Sequence, residues 1–542
     1  MSRRTTTLAL VCTALAISLG TGLANGPRFY RDDPIARDPE TQDASGVRTL
    51  DISKLYDVAE NSFFGAGEHV DKRAVNVNTI DEVPDSSWFT NRTGWTNERL
   101  AKGPDTTGPT GDLTIISGKM EGRSPGFVVR DATNTQYFIK FDPPSNPEMA
   151  SGAEVITTKF LFAFGYNVPE NYLTTIRPES LKIGNGARIE DDNGRKRQME
   201  PDDLTALLAR AARQADGGYR ALASKAIDGK SVGPFRYYGT RPDDPNDIFP
   251  HEHRRELRGL VAFCAWLNHD NSQSTNTLDT LVANGGTSYV KHYLLDFGSS
   301  LGSGTVQAQS PRAGNEFIWD ARPTLITMLT LGFYVRPWIK VEYPEIPSVG
   351  RIESTYFNPK LWKPQYPNAA FENARPEDWF WAARILSAIS DDGIKTVVEA
   401  ARFSDPKATA YLTDMLLARR SKVLRVGLTG TNPVVNPALS ASGELTFENA
   451  GHAAAIANAA ERYTIQWSVF DNASAGHKDV GSEQTVTKTT AQAPAALFAS
   501  QPEYVSALVR AFHADHPAWS QPLRVYFRRS GDRWSLVGLE RN

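Results

Sequence analysis

The chain has 542 residues, of which 40% are hydrophobic and 22% are charged, a composition typical of folded rather than disordered proteins. No apolar stretch reaches the roughly 20 residues that a membrane-spanning helix needs, so a protein with several membrane spans is excluded. The net charge of −3 and the absence of a basic block argue against a nucleic-acid partner. At roughly 150 residues per domain, the length predicts three or four domains.

The sequence near the N-terminus has the pattern of a secretory signal. Arg3 and Arg4 precede a short apolar run, and the small residues Gly22 and Ala24 mark a cleavage site. We therefore expect an exported protein of the periplasm, the cell envelope or the extracellular space, without a membrane span after cleavage; an uncleaved anchor is the alternative. Cleavage would change the net charge from −3 to −5. It would also leave Cys264 as a lone cysteine, which we expect to be a packed core thiol.

The first half of the chain is predicted to be mainly β-structure. Residues 25–110 are rich in Asp, Pro and Asn and predict an irregular N-terminal arm. From Leu113 onward the pattern becomes that of β-strands, with further strands predicted at 126–130 and 135–141. A helix is then predicted to run from a cap at Ser145 or Asn146 to Phe164, because apolar residues recur at helical spacing.

The second half is predicted to be mainly helical, with a small mixed segment at its end. Helices are predicted at 254–267, 376–390, 392–402 and 405–424, and a strand at 288–295. The last two strands, 523–528 and 534–539, are predicted to pair as a hairpin.

These patterns predict an α+β protein that is built from six segments. They are a signal peptide (1–24), an irregular N-terminal arm (25–110), a β-rich lobe with an insertion (111–250), a helical lobe (251–430), a Pro-, Asn- and Ser-rich linker (431–442) and a small α+β C-terminal domain (443–542).

Residues that can carry chemistry occur in a fixed order along these elements. They are three glycines around the first β-turn (Gly118, Gly122 and Gly126), a lysine near the end of a strand (Lys140), a glutamate on the next helix (Glu154), the pair Asp270 and Asn276 after helix 254–267, and Asp296-Phe297-Gly298 at the end of an apolar strand. This order resembles the signature set of protein kinases: glycine loop, strand lysine, helix glutamate, catalytic Asp and Asn, and Asp-Phe-Gly.

The resemblance implies a two-lobed protein-kinase-like fold and a nucleotide partner, ATP with Mg²⁺ or Mn²⁺. Lys140 would hold phosphate oxygens while Glu154 keeps it extended, and the glycines would let backbone N–H groups approach phosphate. Asn276 and Asp296 would bind the metal, and Asp270 would take up the proton of the attacking hydroxyl. The acceptor, whether a protein, glycan or lipid, is not indicated.

The pattern is most similar to that of atypical bacterial and secreted kinases, such as the HipA-like and spore-coat CotH-like families. It departs from the ordinary kinase pattern, because Asn276 stands six residues after Asp270 rather than five. The residue five positions before Asn276, where kinases have the catalytic Asp, is Asn271, and an amide cannot act as a base. A non-catalytic pseudokinase and a binding or structural protein of the cell envelope therefore remain alternatives.

Two other motifs are assigned no function. His251-Glu252-His253 contains metal-type residues but no third partner, so we expect surface histidines. Residues 298–302 match the Gly-x-Ser-x-Gly motif of serine hydrolases, with Ser300 at its centre. The stretch that follows does not predict the helix that a nucleophile elbow requires, so a serine hydrolase is not favoured.

Overall fold

The computed structural model describes residues 26–119, 125–190, 195–331 and 333–541, apart from the side chain of Arg322. Within these ranges, none of the helices combines the length and apolar character that crossing a bilayer requires. Gly122, one of the three glycines of the predicted phosphate loop, lies outside the described residues.

The N-terminal arm contains little regular structure and runs along the rest of the molecule. Its elements are α1 (Lys54–Ala59), one π-helical turn (Glu60–Phe64) and α2 (Asn97–Lys102). Near its start, Phe29 packs against Phe470 and Tyr526, at ring-centroid distances of 5.8 and 5.1 Å. Further along, Trp88 stacks on His292 at 3.5 Å. Aromatic contacts of this kind fix a segment that forms no sheet of its own.

The first lobe is built on a seven-stranded sheet. Its strands are β1 (Leu113–Lys119), β2 (Gly126–Arg130), β3 (Gln136–Phe141), β4 (Asn171–Ile176), β5 (Leu181–Glu190), β6 (Lys196–Gln198) and β7 (Tyr219–Lys225). Their spatial order is β4–β7–β3–β2–β1–β5–β6, and β1 pairs with β5 in parallel while the other pairs are antiparallel. Helix α3 (Met149–Ala163) follows β3, and α4 (Pro201–Ala209) follows β6.

Side-chain alternation along β3 explains which residues face the functional cleft. Tyr137, Ile139 and Phe141 are buried in the core of the sheet, together with apolar residues of β1, β2, β5 and α4. Because successive side chains of a strand point to opposite faces, Phe138 and Lys140 emerge on the other side. The sequence therefore places a lysine on the face of the sheet that is not covered by α4.

The second lobe is helical and contains the largest apolar core. Its helices are α5 (Arg255–Leu267), α6 (Ala321–Leu329), α7 (Ala369–Glu372), α8 (Pro376–Ser387), α9 (Asp391–Glu399) and α10 (Pro406–Thr429). A small sheet, in the order β10–β9–β8, consists of β8 (Lys230–Gly233), β9 (Thr277–Asn284) and β10 (Thr287–Leu294). Helix α3 belongs to this core as much as to the first lobe, since Ile156 and Phe160 pack in it beside Trp266.

The C-terminal part forms a separate core from two sheets. Its elements are β11 (Val434–Leu439), β12 (Glu444–Asn449), α11 (Ala450–Ala453), β13 (Arg462–Asp471), β14 (Gly476–Asp479), β15 (Gln484–Val486), β16 (Thr490–Gln492), β17 (Tyr504–Phe512), β18 (Leu523–Ser530) and β19 (Arg533–Arg541). One sheet has the order β11–β12–β16, and the other β14–β13–β17–β18–β19 with β15 paired to β13. The predicted α+β class is confirmed.

Residues 431–442 differ from the predicted linker, because they contain strand β11. Asn436 adopts a φ of 52° and the register shifts between Val435 and Ala438, which is a β-bulge. A bulge tolerates the missing N–H donor of Pro437. Asn432 is buried and donates hydrogen bonds to the backbone oxygens of Val509 and Gln521. The polar, proline-containing composition therefore marks an anchored strand rather than a free linker.

Candidate functional site

A cleft of about 980 Å³ lies between the seven-stranded sheet and the helical lobe. Its first wall consists of β1, β2, β3 and β7 with the start of α3, and its second wall includes Asp270, Asn271 and Asp296. Residues 304–310, which follow the Asp-Phe-Gly sequence, also line it. The two walls therefore bring together residues that the sequence analysis singled out from separate elements.

The centre of the cleft is an ionic cluster of three side chains. The ammonium group of Lys140 lies 3.3 Å from Oε2 of Glu154 and 2.8 Å from Oδ1 of Asp296. Glu154 is buried, whereas Lys140 and Asp296 are partly open to the cleft. The lysine thus bridges a buried carboxylate, which fixes its direction, and an accessible carboxylate that can bind a ligand.

Helix α3 places Glu154 beside Lys140 because its first turn is held by Asp142, just after β3. Oδ1 of Asp142 accepts hydrogen bonds from the backbone N–H groups of Ala150 and Ser151, each at 2.9 Å. A carboxylate at this position satisfies orphan donors and favours the positive end of the helix. Arg220 of β7 donates to Ser151 Oγ at 3.0 Å and so ties the helix to the sheet.

The Asp-Phe-Gly turn is held in place by the same glutamate. Asp296 has a φ of 60°, a left-handed conformation that directs the chain away from β10. The N–H of Phe297 donates to Oε1 of Glu154 at 3.2 Å. A Cβ at Gly298 would come within 3.0 Å of Oε2 of Glu154, so a larger residue would press on this carboxylate. Both oxygens of Glu154 therefore have fixed partners.

The electrostatics of the cluster favour a charged lysine and a charged Asp296. Lys140 lowers the pKa of the Asp296 carboxyl below its usual value, against the opposing effect of burial. Burial opposes the charge of Lys140, but the two carboxylates outweigh it and raise its pKa. Burial raises the pKa of Glu154, although Lys140 acts in the other direction. A cation other than Lys140, such as a metal ion, would further favour the ionised form of Asp296.

The loop after α5 contains the residues that correspond to the predicted catalytic loop. Asn268 ends the helix in a left-handed conformation, and His269 is buried beneath it with Nδ1 2.9 Å from Oγ of Ser300. The amide of Asn276 donates to the backbone oxygen of Asn271 at 2.9 Å, and its own backbone oxygen accepts from Leu295 N. Asn276 thus ties the loop to the end of the strand that carries Asp296.

Asp270 is buried at the edge of the cleft and has a specific partner. Its Oδ1 accepts a hydrogen bond of 2.8 Å from Nε2 of Gln309, which also donates to the backbone oxygen of Ser299. Its backbone oxygen accepts from the N–H of Gln365 at 2.8 Å. The carboxylate is therefore oriented by the segment that follows Asp-Phe-Gly, and both Asp270 and Gln309 line the cleft.

The structure brings some of the predicted site residues together and separates others from them. Lys140, Glu154 and Asp296 form one cluster, and Asp270 lies on the same cleft. Asn276 is not among the residues that line this cleft; it borders a small cavity behind the loop instead. Its predicted role as a metal ligand therefore has no direct geometric support, and the amide serves to hold Asn271.

Close packing alone explains why glycine occupies two of the three predicted positions, without a bound phosphate. A Cβ at Gly126 would lie 2.4 Å from the backbone oxygen of Ile139, so only glycine permits this approach of β2 and β3. A Cβ at Gly118 would meet the side chain of Leu207 at 3.2 Å. Both glycines nevertheless line the cleft, while the turn between them lies outside the described residues.

The predicted surface exposure of the His251-Glu252-His253 motif was wrong, because all three residues are buried. Nε2 of His251 lies 2.7 Å from Oδ2 of Asp247, and Nδ1 of His253 lies 2.5 Å from the guanidinium of Arg258. Within the described residues, no group of three or more His, Cys, Asp or Glu side chains is arranged to hold a metal ion. The motif belongs to a buried polar network.

Several residues that line the cleft could not be predicted from a sequence pattern. Lys54 reaches the cleft from α1 of the N-terminal arm, and Ser299 and Gln309 come from the segment after Asp296. Within the described ranges, Oγ of Ser299 and Oε1 of Gln309 are buried and have no hydrogen-bond partner. Buried oxygens that are left unpaired at the wall of a cleft favour a ligand that supplies donors, metal-bound water included.

These features fit a nucleotide with a magnesium ion. The cleft volume falls within the range of pockets that hold molecules of this size, about 300 to 1,000 Å³. Lys140 offers donors to phosphate, and the carboxylate oxygens of Asp296 and Asp270 are hard ligands. Magnesium is usually held by one or two carboxylates together with phosphate oxygens, so three acidic ligands are not needed.

Comparisons with known proteins give a weak result. Neither a scan against models of protein families nor a search of curated proteins finds a match. Among solved structures, the chain is similar to the Rio2 kinase–ADP/Mg²⁺–phosphoaspartate complex from Chaetomium thermophilum, with 13% identity and a TM-score of 0.20 over 53% of this chain and 71% of that chain. It is also similar to the golgi casein kinase, with 12% identity and a TM-score of 0.27 over 73% of this chain and 96% of that chain.

A likeness at this level carries no argument about activity. The fold itself is a mixed α+β fold with two lobes and a cleft between them. The strand lysine, the helix glutamate and the aspartate of Asp-Phe-Gly meet in that cleft.

Proposed function

We propose that this protein is an exported, kinase-like phosphotransferase that moves a phosphoryl group from a Mg²⁺- or Mn²⁺-bound nucleotide, ATP being the first choice, to a hydroxyl acceptor. One observation carries the proposal: Lys140 lies between buried Glu154 and accessible Asp296 in a cleft large enough for a nucleotide. In phosphoryl transfer by kinases, a lysine that is paired with a glutamate binds the phosphates of the nucleotide.

The residues of the cleft divide the work as follows. Lys140 donates to phosphate oxygens, and Glu154 keeps it extended because both of its own oxygens are engaged. Asp296 would hold the metal ion, which would supply the positive charge that phosphoryl transfer requires. Asp270 accepts the proton of the acceptor hydroxyl while the oxygen of that hydroxyl forms a bond to the γ-phosphorus. The bond between this phosphorus and the bridging oxygen breaks, and the nucleoside diphosphate leaves.

A non-catalytic binding role is the second candidate, and a specific contact favours it. Asn276 donates to the backbone of Asn271, five residues earlier, which is the spacing that kinases keep between catalytic Asp and Asn. The amide of Asn271 cannot take up a proton, and Asp270 is already bonded to Gln309. A pseudokinase would retain the nucleotide cluster and lack the base.

The finer assignments are part of the proposal. We place the chain with the HipA-like and CotH-like kinases on the motif order alone, and we place it outside the cytoplasm on the signal-like sequence around Arg3, Arg4 and Ala24. The acceptor is a hydroxyl of a protein, a glycan or a lipid.

The test measures binding and transfer separately. The purified protein is incubated with ATP and Mg²⁺, and the thermal shift, ATP hydrolysis and self-labelling with γ-labelled ATP are recorded. An active kinase loses the thermal shift and the turnover in Asp296→Asn, and loses only the turnover in Asp270→Asn. Asp216→Asn, at an exposed ion pair with Arg177, is the matched control and should change neither.

The outcomes separate the two candidates. A nucleotide-dependent thermal shift that Asp296→Asn removes, without hydrolysis or labelling by the unaltered protein, assigns a pseudokinase. The absence of any thermal shift with Mg²⁺ or Mn²⁺ and purine nucleotides refutes both.

A further inference from the structure

The N-terminal arm contributes a cation to the cleft. Lys54, the first residue of α1, is exposed and is one of three basic residues that the described chain places at the cleft wall. The other two are already paired: Lys140 with two carboxylates of the ionic cluster, and Arg312 with Glu316 at 3.2 Å. Lys54 pairs with no carboxylate anywhere in the described ranges. Its charge is therefore available to a ligand of the cleft.

Helix α1 is fixed on the helical lobe by one buried carboxylate. Asp57 is 1% exposed, and its Oδ1 accepts a hydrogen bond of 2.9 Å from Oγ of Ser274. Its Oδ2 accepts another, of 2.8 Å, from the hydroxyl of Tyr366. Because residues three apart lie on the same side of a helix, the docking of Asp57 turns the side that carries Lys54 toward the molecule. The position of Lys54 at the cleft thus follows from a specific contact of the arm.

The same docking places Lys54 on the wall of the cleft that carries Asp270. Gln365, the residue before Tyr366, lines the cleft, and its N–H donates to the backbone oxygen of Asp270 at 2.8 Å. Helix α1 is therefore attached one residue away from a direct partner of Asp270. Lys140, in contrast, reaches the cleft from strand β3 of the sheet. The two lysines thus approach a ligand from different walls.

The charge of Lys54 acts on the carboxylate that would bind the metal ion. Lys140 is the main cause of the lowered pKa of the Asp296 carboxyl, and Lys54 acts in the same direction. A cation that acts on this carboxylate also acts on phosphate oxygens bound beside it. The phosphoryl group to be transferred must lie between the metal ligand Asp296 and the proton acceptor Asp270. Since Lys54 is on the Asp270 side, the end of the phosphate chain is the part of a nucleotide that it would meet.

We propose that Lys54 binds the γ-phosphate of the nucleotide, so that the N-terminal arm completes the phosphate site of the cleft. This inference rests on the proposed nucleotide-binding function and deepens it, because it assigns the second cation of the site and a role of the arm. A terminal phosphate carries about two negative charges at neutral pH, and the charge of Lys140 is already shared between two carboxylates. Lys54 donates to the γ-phosphate oxygens and stabilises their charge during transfer.

The test compares the affinities of the full-length protein for Mg²⁺–ATP and Mg²⁺–ADP by isothermal titration. Lys54→Met should lower the affinity for ATP about tenfold, because a hydrogen bond between charged groups is lost. The affinity for ADP, which lacks the γ-phosphate, should change by about twofold or less, because only a long-range effect that salt screens remains. Lys54→Arg keeps the cation and should retain most of the affinity for ATP. Neither variant should lower the melting temperature, since Lys54 is exposed and pairs with no carboxylate in the described ranges.

The matched control is Lys72→Met, because Lys72 also belongs to the arm but lies outside the residues that line the cleft and pairs with Glu68 at 3.2 Å. It should leave both affinities unchanged. If Lys54→Met binds ATP as the unaltered protein does, or loses affinity for ATP and ADP equally, the assignment of Lys54 to the γ-phosphate is overturned while nucleotide binding itself stands. If the unaltered protein binds neither nucleotide, the proposed function fails, and this inference fails with it.

Discussion

The ionic cluster makes a quantitative prediction for Lys140→Met. The substitution removes the donor to phosphate, and a hydrogen bond to a charged group contributes about 1.5 to 3 kcal/mol. We therefore expect the affinity for Mg²⁺–ATP to fall about 10- to 150-fold. The methionine occupies a similar volume, so the shape of the cleft changes little.

The same substitution should also destabilise the fold, because Glu154 is left buried without its cation. Breaking a fully buried pair costs about 3 to 5 kcal/mol. The side chain of Lys140 is 39% exposed, so solvent screens the pair, and about 2 kcal/mol is a better expectation. This corresponds to a fall in melting temperature of about 4 to 8 °C.

A second variant separates the two effects. Adding Glu154→Gln removes the unpaired charge while keeping an acceptor for the N–H of Phe297, so the double variant should regain most of the stability but none of the affinity. The measurements are isothermal titration with Mg²⁺–ATP and thermal unfolding. Lys182→Met is the matched control, since Lys182 lies in the same sheet in an exposed ion pair with Asp112. Unchanged affinity in Lys140→Met would refute the assigned role of the lysine.

Three further predictions concern buried groups. Burial lowers the pKa of His269 to about 4 from 6.5, so between these pH values the unfolded chain binds a proton that the folded chain does not. The free energy of unfolding, measured by denaturant titration, should therefore fall by about 3 kcal/mol as the pH drops from 6.5 to 4, and by less in His269→Gln. An equal fall in the unaltered protein and in the variant would contradict this. Burial raises the pKa of Cys264 to about 12, so peptide mass spectrometry should find it unalkylated at pH 8 until the protein is unfolded. In Gly152→Ala the new methyl group would come within 2.5 Å of the ring of Phe403, which should cost about 1 to 2 kcal/mol in chemical denaturation even after the gain in helix propensity; Gly46→Ala, with no atom within 4 Å, is the control.

Periodicity predicted the parts of the site that depend on local structure. The β-pattern over 135–141 places Lys140 near the end of a strand, and helical spacing places Glu154 on α3. The apolar strand before Asp296 predicts that this residue lies just after a strand, which is β10. These inferences hold because each depends on a few neighbouring residues.

The remaining parts of the site depend on contacts between distant segments, for which the sequence carries no periodic signal. Asp57 of the arm, for example, accepts a hydrogen bond from Ser274 across 217 positions of the chain, and Lys54 reaches the cleft from the same helix. The burial of His251 follows from its partner Asp247 and from the ring of Trp88, 4.7 Å away. The sequence favours Ser145 or Asn146 as the cap of α3, but Asp142, still nearer the strand, performs this role.

The N-terminal arm has a consequence for the order in which the protein can fold during synthesis. The backbone of Tyr30 accepts a hydrogen bond from Arg528, 498 positions later, and the N–H of Phe29 donates to Asn472. The start of the arm therefore finds its contacts in segments that are synthesised several hundred residues later. The start of the arm can therefore dock only after β18 has been synthesised, and until then Phe29 lacks its contact with Tyr526.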